Sequence, residues 1–404
     1  MWGHGLYSRP AASHAFGVRP LTPLGVGFLS IFWLGCSSEE LAEGGATDPP
    51  GMKADGVVEA ALPDSPVLVE LYAPTARRSA TALDFNPEVP GQLWVTLRQF
   101  PTDMPCTEMV SSGCNALRGE VVWIDDAPGD APFTQLKRDG NAWHFMRRPT
   151  AIAFGDNGNL ATCGEARTDN YEDEPIDYAG PVLWASDPAI FGVTPEPGQN
   201  GTHIDMLHST PFCMGIAHEA DNVYWTFNGQ IGALDRYDFN EPHEIGGENH
   251  TDGELYRYVE GELARVPEVP SHIVLDDERR FVYVADTGNA RVVVVDAESG
   301  TAGADVLEYD GMPIHVAIDG AVLEELVPAG RLERPSGLAF RAGVLFVTDN
   351  ATGQVHAFDT RGELLKSLDT GLPEGSLAGI AIGPDGKAYL SDLATGKVYR
   401  IDAA

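Results

Sequence analysis

The feature that most constrains this chain is a recurring pair of short β-strands. Residues 269–296 show the unit clearly. Ser271-His272-Ile273-Val274-Leu275 is followed by a polar turn, then by Phe281-Val282-Tyr283-Val284-Ala285-Asp286. A second turn leads to the β-branched run at 291–296. Openings of the same kind stand at 81–85, 150–154, 214–218, 336–340 and 378–382. Second strands follow at 93–97, 160–165, 223–228, 345–349 and 388–392, and third strands at 120–124, 182–185, 355–358 and 398–401. A β-unit repeated in this way cannot bury both faces alone and must stack on copies of itself.

Six four-stranded units arranged radially make a six-bladed β-propeller, an all-β fold. The last unit stops after three strands at Ile401, while the strand at 67–71 stands alone ahead of the first. That N-terminal strand is expected to serve as the missing outer strand and close the ring. Closure removes the open edges that invite aggregation. The propeller is read as residues 65–404. The 45 glycines and 29 prolines fit the many tight turns.

The N-terminus reads as a targeting segment. Arg9 and Arg19 precede an apolar run at 21–35, too short to be a good membrane span. Trp33-Leu34-Gly35-Cys36 resembles a bacterial lipoprotein lipobox, with Cys36 as the lipidated residue and 1–35 as the signal peptide. Residues 36–64 are small, polar and Pro/Gly-rich, as a tether would be. Removal of 1–35 leaves 24 basic against 60 acidic residues, a net charge of −36. Such a surface repels nucleic acid and anionic lipid. The expected setting is the cell envelope, with plain secretion as the alternative, the lipid as sole membrane contact and a small molecule or an envelope protein as partner. The chain is read as a monomer.

Export makes disulfides available. Cys106 and Cys114 flank one polar loop and are expected to pair locally, which leaves Cys163 for Cys213, across two adjacent units.

The turn Asp286-Thr287-Gly288-Asn289-Ala290-Arg291 resembles the NHL repeat, whose units carry Asp-x-Gly-Asn-x-Arg after a Val-Ala-Asp strand. Residues 349–355 and 392–398 keep the Asp and a Gly but lose the Asn-x-Arg. The resemblance implies a propeller. Related peptidyl-hydroxyglycine lyases and lactonases carry zinc or calcium on the propeller axis, so an axial metal is what the resemblance would imply here.

Where inner strands begin, the narrow axis demands small residues. Five units hold Ala82, Ala151, Gly215, Gly337 and Gly379 there, and the sixth holds His272. His203, Asp205 and His208 precede the third inner strand and are expected to join His272 as ligands of zinc or copper, with an open coordination position. Asp286, Asp349 and Asp392 end second strands on that face. They could supply oxygen to calcium, or cap the turns that follow. His243, His250 and Asp252 in the Gly-rich loop 240–252 form a second metal candidate on the opposite face, near His218. Two functions follow. One is a scaffold that binds a ligand on the axial face with a divalent cation. The other is a metal-dependent hydrolase or lyase. Signatures of a serine hydrolase elbow, a phosphate loop or a zincin helix do not occur.

Overall fold

The computed structural model describes residues 53–99, 118–169 and 177–404. Cys36, Cys106, Cys114 and the signal segment lie outside the described residues. Six sheets stand around one axis, antiparallel except for one added pairing in the third. The first blade runs Arg78–Phe85, Leu93–Gln99, Gly119–Asp125 and Phe133–Lys137. The second runs Pro149–Phe154, Asn159–Gly164, Val182–Ala185 and His203–Met206. The third is Cys213–Ala220, Val223–Asn228, Ala233–Asp238 and Glu254–Tyr258. The fourth is Ile273–Asp276, Phe281–Asp286, Arg291–Asp296 and Leu323–Val327. The fifth is Pro335–Arg341, Val344–Asp349, Gln354–Asp359 and Leu364–Asp369. Each innermost strand packs on those of the next blades, and that of the sixth, Leu377–Ile382, packs on Arg78–Phe85 of the first. The chain is therefore a six-bladed β-propeller.

The ring closes as expected. Pro66–Tyr72 pairs antiparallel with Val398–Ala403, with Leu68 opposite Ile401. The sixth sheet thus takes its outer strand from the start of the domain and its other three from the end.

Two parts differ from the sequence reading. The tether was expected to reach residue 64, but Ala54–Ala61 is a helix. It buries Val57, Val58 and Ala61 against Val344, Phe346 and Leu390 at the seam of the last two blades. The other difference is in the third blade, whose sheet has six strands rather than four. A hairpin of Thr301–Asp305 and Ile314–Asp319 leaves the fourth blade and pairs in parallel with Glu254–Tyr258.

The seams between blades hold the core. Trp94, Trp123 and Trp184 share one cluster with Phe154 and Phe191, while Trp225 packs with Val282 and Val293 across the next seam but one. Cys163 and Cys213 form a disulfide, Cα–Cα 5.7 Å, which links the second and third blades near the axis. At the axis, glycine is required rather than tolerated. A Cβ on Gly215 would lie 2.3 Å from the Ser271 carbonyl oxygen, and one on Gly379 would meet the Ala82 backbone at 3.0 Å.

Candidate functional site

A cavity of about 1110 Å³ occupies the axis. Its mouth is ringed by the tight hairpins that follow the inner strands, including Asn86, Pro87, Asp277, Gly343 and Pro384. Its floor lies at the level of Ala82, Ala151 and His272. The funnel thus opens on the face opposite the starts of the inner strands, where the axial site was expected.

His272 makes the floor. Its Nε2–H donates to the Thr150 carbonyl at 3.0 Å, across from the fourth blade to the second. Its Cε1 lies 3.1 Å from where a Cβ of Gly379 would stand, so the ring also reaches the sixth blade. Burial pushes its pKa down to about 4, against the opposing effect of the Thr150 bond. The ring is neutral at pH 7 and plugs the channel. Among the polar groups along the wall, Asp84 accepts the backbone N–H of Phe85 and of Phe154, and burial pushes its carboxyl up to about 6. His218 lines the same wall, with Nε2 bonded to the Asp221 carbonyl at 3.1 Å and 3.6 Å from Asp156.

The histidines of the sequence reading regroup. His203 and Asp205 are not beside the third inner strand. They lie on the outer strand of the second blade, where His203 pairs with Trp184. Alternation along that strand points both the same way. There they meet His243 and His250 from the loop that joins the third and fourth strands of the next blade. One ring nitrogen from each of His203, His243 and His250 lies within 4.8 Å of the other two.

Two of these rings have one nitrogen fixed by a protein oxygen. His243 Nδ1–H donates to the Glu244 carbonyl at 2.7 Å, and His250 Nδ1–H to Asp205 Oδ1 at 2.9 Å. His203 Nδ1 and His243 Nε2 are buried without a hydrogen-bond partner, as is Asp205 Oδ2. Each such atom costs on the order of 1–3 kcal/mol unless something satisfies it. Burial, then the nearby His243 and His250, drive the His203 pKa down to about 2, so its lone pair is free. Burial raises the Asp205 carboxyl, partly offset by its bond to His250.

Local structure explains the grouping. Phe145, from the short helix Ala142–Phe145, stacks on His203 with ring centres 3.7 Å apart. Gly246, at φ +69°, donates its N–H to the His203 carbonyl and accepts one from Asn200, which clamps the loop to the strand. A Cβ there would meet the Asn200 nitrogen at 2.8 Å.

The remaining candidates do other work. His208 stacks on Tyr178, and its Nδ1–H donates to Asp310 Oδ1 at 2.5 Å. Asp310 comes from the hairpin that crosses between blades, a contact the sequence did not signal. His208 and His272 therefore do not converge. Asp252 closes its own loop by accepting the N–H of Glu241 and the side chain of Asn240, and His218 stays with the funnel. The oxygens of Asp286 accept from the Ala264 N–H, Asn289 and Arg291. Those of Asp349 accept from the N–H groups of Glu333, Arg334 and Ala351. Asp392 takes the N–H of Ala394 and the N–H and hydroxyl of Thr395. These three carboxylates face N–H and O–H donors at separate turns, so they cap turns instead of forming a calcium ring.

No protein-family model matches the chain, and no curated protein matches it. Solved structures match at low identity. An auxiliary nutrient binding protein from Bacteroides ovatus is 11% identical over 84% of this chain and 76% of its own, with a TM-score of 0.48. A streptogramin B lyase is 10% identical over 84% and 98%, with a TM-score of 0.44. A luciferin-regenerating enzyme is 14% identical over 84% and 95%, with a TM-score of 0.43. At such identities the likeness concerns fold alone.

Proposed function

We propose that this chain is an exported, lipid-anchored propeller that binds a small molecule, or a short segment of an envelope protein, in its axial funnel. The carrying observation is the cavity of about 1110 Å³, open at the hairpin face and closed below by His272. Ligand sites are concave, largely preformed and mostly apolar, with a few placed polar groups. The inner strands bring Phe85, Phe154 and Ile216 to the funnel wall beside the carboxylates of Asp84 and Asp276. With Asp276 paired to Arg279 and Arg341 also in the lining, the funnel suits a ligand with an apolar body and a few polar groups. The net charge of −34 argues against nucleic acid as the occupant. The lipid on Cys36 would supply the membrane contact; no helix among the described residues is long and apolar enough to cross a bilayer.

Binding is favoured over catalysis. The hydrolase or lyase reading needs an axial metal held by His272 and His208, and His272 instead gives its Nε2 hydrogen to a backbone carbonyl. Of zinc, copper and calcium, the first two suit the imidazoles gathered off the axis, while calcium takes oxygen ligands.

A thermal-shift screen of small molecules on the full chain tests the proposal. Hits should lose their effect in His218→Trp, which narrows the funnel, and keep it in an outer-strand variant such as Leu364→Trp. Hits that stabilise both variants equally would place binding elsewhere and refute the funnel.

A further inference from the structure

We infer that His203, His243 and His250 form a binding site for one transition-metal ion of the zinc class, off the axis at the seam of the second and third blades. The inference is independent of the funnel, so either can fail without the other.

Three observations carry it. Three ring nitrogens converge within 4.8 Å of one another, close enough for a single ion to reach all three. In two of the rings one nitrogen is held by a protein oxygen, which fixes tautomer and orientation as the outer partners of metal ligands do. Asp205 holds His250 in a carboxylate–histidine arrangement, the Glu244 carbonyl holds His243, and the Phe145 ring stacked at 3.7 Å orients His203. The nitrogens left over on His203 and His243 are buried lone pairs with no donor, an arrangement that an ion satisfies and packing alone does not. Neutral imidazole is a borderline ligand, so zinc and its neighbours are favoured over calcium or magnesium.

The ion would join elements 40 or more residues apart in sequence. It would pin the loop between Ala233–Asp238 and Glu254–Tyr258 to the outer strand His203–Met206. The disulfide of Cys163 and Cys213 crosses the same seam nearer the axis. One blade interface would then carry a covalent staple inside and a metal staple outside.

The test uses the exported full chain, stripped with a chelator and titrated with Zn²⁺ and Co²⁺. The expected result is one equivalent bound per chain, with the visible absorption of four-coordinate cobalt. His243→Ala and His250→Gln should each weaken binding at least about 100-fold, toward the upper end for lost metal affinity. His272→Ala should bind as the parent does. Both loop histidines are partly exposed, so these variants are expected to fold, with circular dichroism as the check. A second measurement needs no variant. Zn²⁺ should protect His250 from acylation by diethyl pyrocarbonate, read by peptide mass spectrometry. No binding tighter than millimolar, equal binding in both loop variants, equal loss in His272→Ala, or absence of zinc protection would each overturn the site.

Discussion

Acid should unfold this propeller partly through one ring, that of His272. The histidine is 8% exposed, spans the axis and donates to the Thr150 carbonyl. Its folded pKa of about 4 lies below the ordinary 6.5 because burial penalises the charged form. The unfolded chain therefore takes up the proton first as pH falls. The stability this ring contributes is complete above pH 7, declines below the unfolded pKa of about 6.5 and is gone near pH 4. The gap of about 2.5 units corresponds to about 3 kcal/mol at 1.36 kcal/mol per unit. His272→Gln removes the titration but keeps an amide N–H that can reach the same carbonyl. Buried His144 and His203, with pKa values near 4 and 2, titrate in parent and variant alike and cancel in the difference. Urea unfolding followed by tryptophan fluorescence at pH 7, 6, 5 and 4.5 gives that difference directly. The stability of the parent relative to His272→Gln should drop by about 2–3 kcal/mol across the series. A difference constant to within about 0.5 kcal/mol would refute the reasoning, since a ring that solvent reaches freely would titrate alike in both states.

Three other outcomes follow from the same geometry. Replacing Cys163 and Cys213 by serine opens a loop of 50 residues and should cost about 4 kcal/mol on the chain-entropy estimate, read as a lower urea midpoint with a steeper slope as the unfolded chain expands. Asp286→Ala strips partners from the Ala264 N–H, Asn289 and Arg291 at once and should cost about 3 kcal/mol by thermal or urea unfolding. Deleting residues 53–72 removes the helix and the closing strand, exposes the edge of Val398–Ala403 and should shift the protein toward aggregate, relative to the parent, on size-exclusion chromatography.

The blades were legible because their signal is local. Each inner strand is a short apolar run, most second strands end on a polar residue, and alternation with period two is set by backbone geometry alone. Closure was legible for a similar reason, since one strand too few at the end and one too many at the start admit a simple pairing. The third strand Ala233–Asp238 was passed over because its sequence, Ala-Leu-Asp-Arg-Tyr-Asp, carries charge at inward positions. There Asp235 is buried only because Arg257 and Thr210 bond to it. A buried ion pair leaves no apolar pattern to read. The hairpin at 301–319 escaped for another reason. It is half exposed, and its partner strand belongs to a different blade.

The histidines show where the local signal ends. Residues 203–206 read as a lead-in to the next inner strand, whereas they form a complete outer strand of only four residues. Every added strand in a blade reverses direction, so a strand left uncounted moves its residues to the other end and from the axis to the rim. A strand of four residues has too little pattern to be told from a loop, which is why His203 and Asp205 read as axial and apart from His243 and His250. The residues themselves were all singled out from the sequence, because imidazole beside carboxylate and glycine is uncommon in a structural loop. What assembles them is the lean of one blade's outer loop on the neighbouring blade's outer strand. Two bonds through Gly246 and the stack of Phe145 on His203 fix that lean, and none of these contacts has a pattern within either segment. In a repeat fold, composition can identify the residues of a site, but the blade seam decides which of them meet. The seam that gathers these three is also the one the disulfide crosses, so loss of either staple should loosen the same pair of blades.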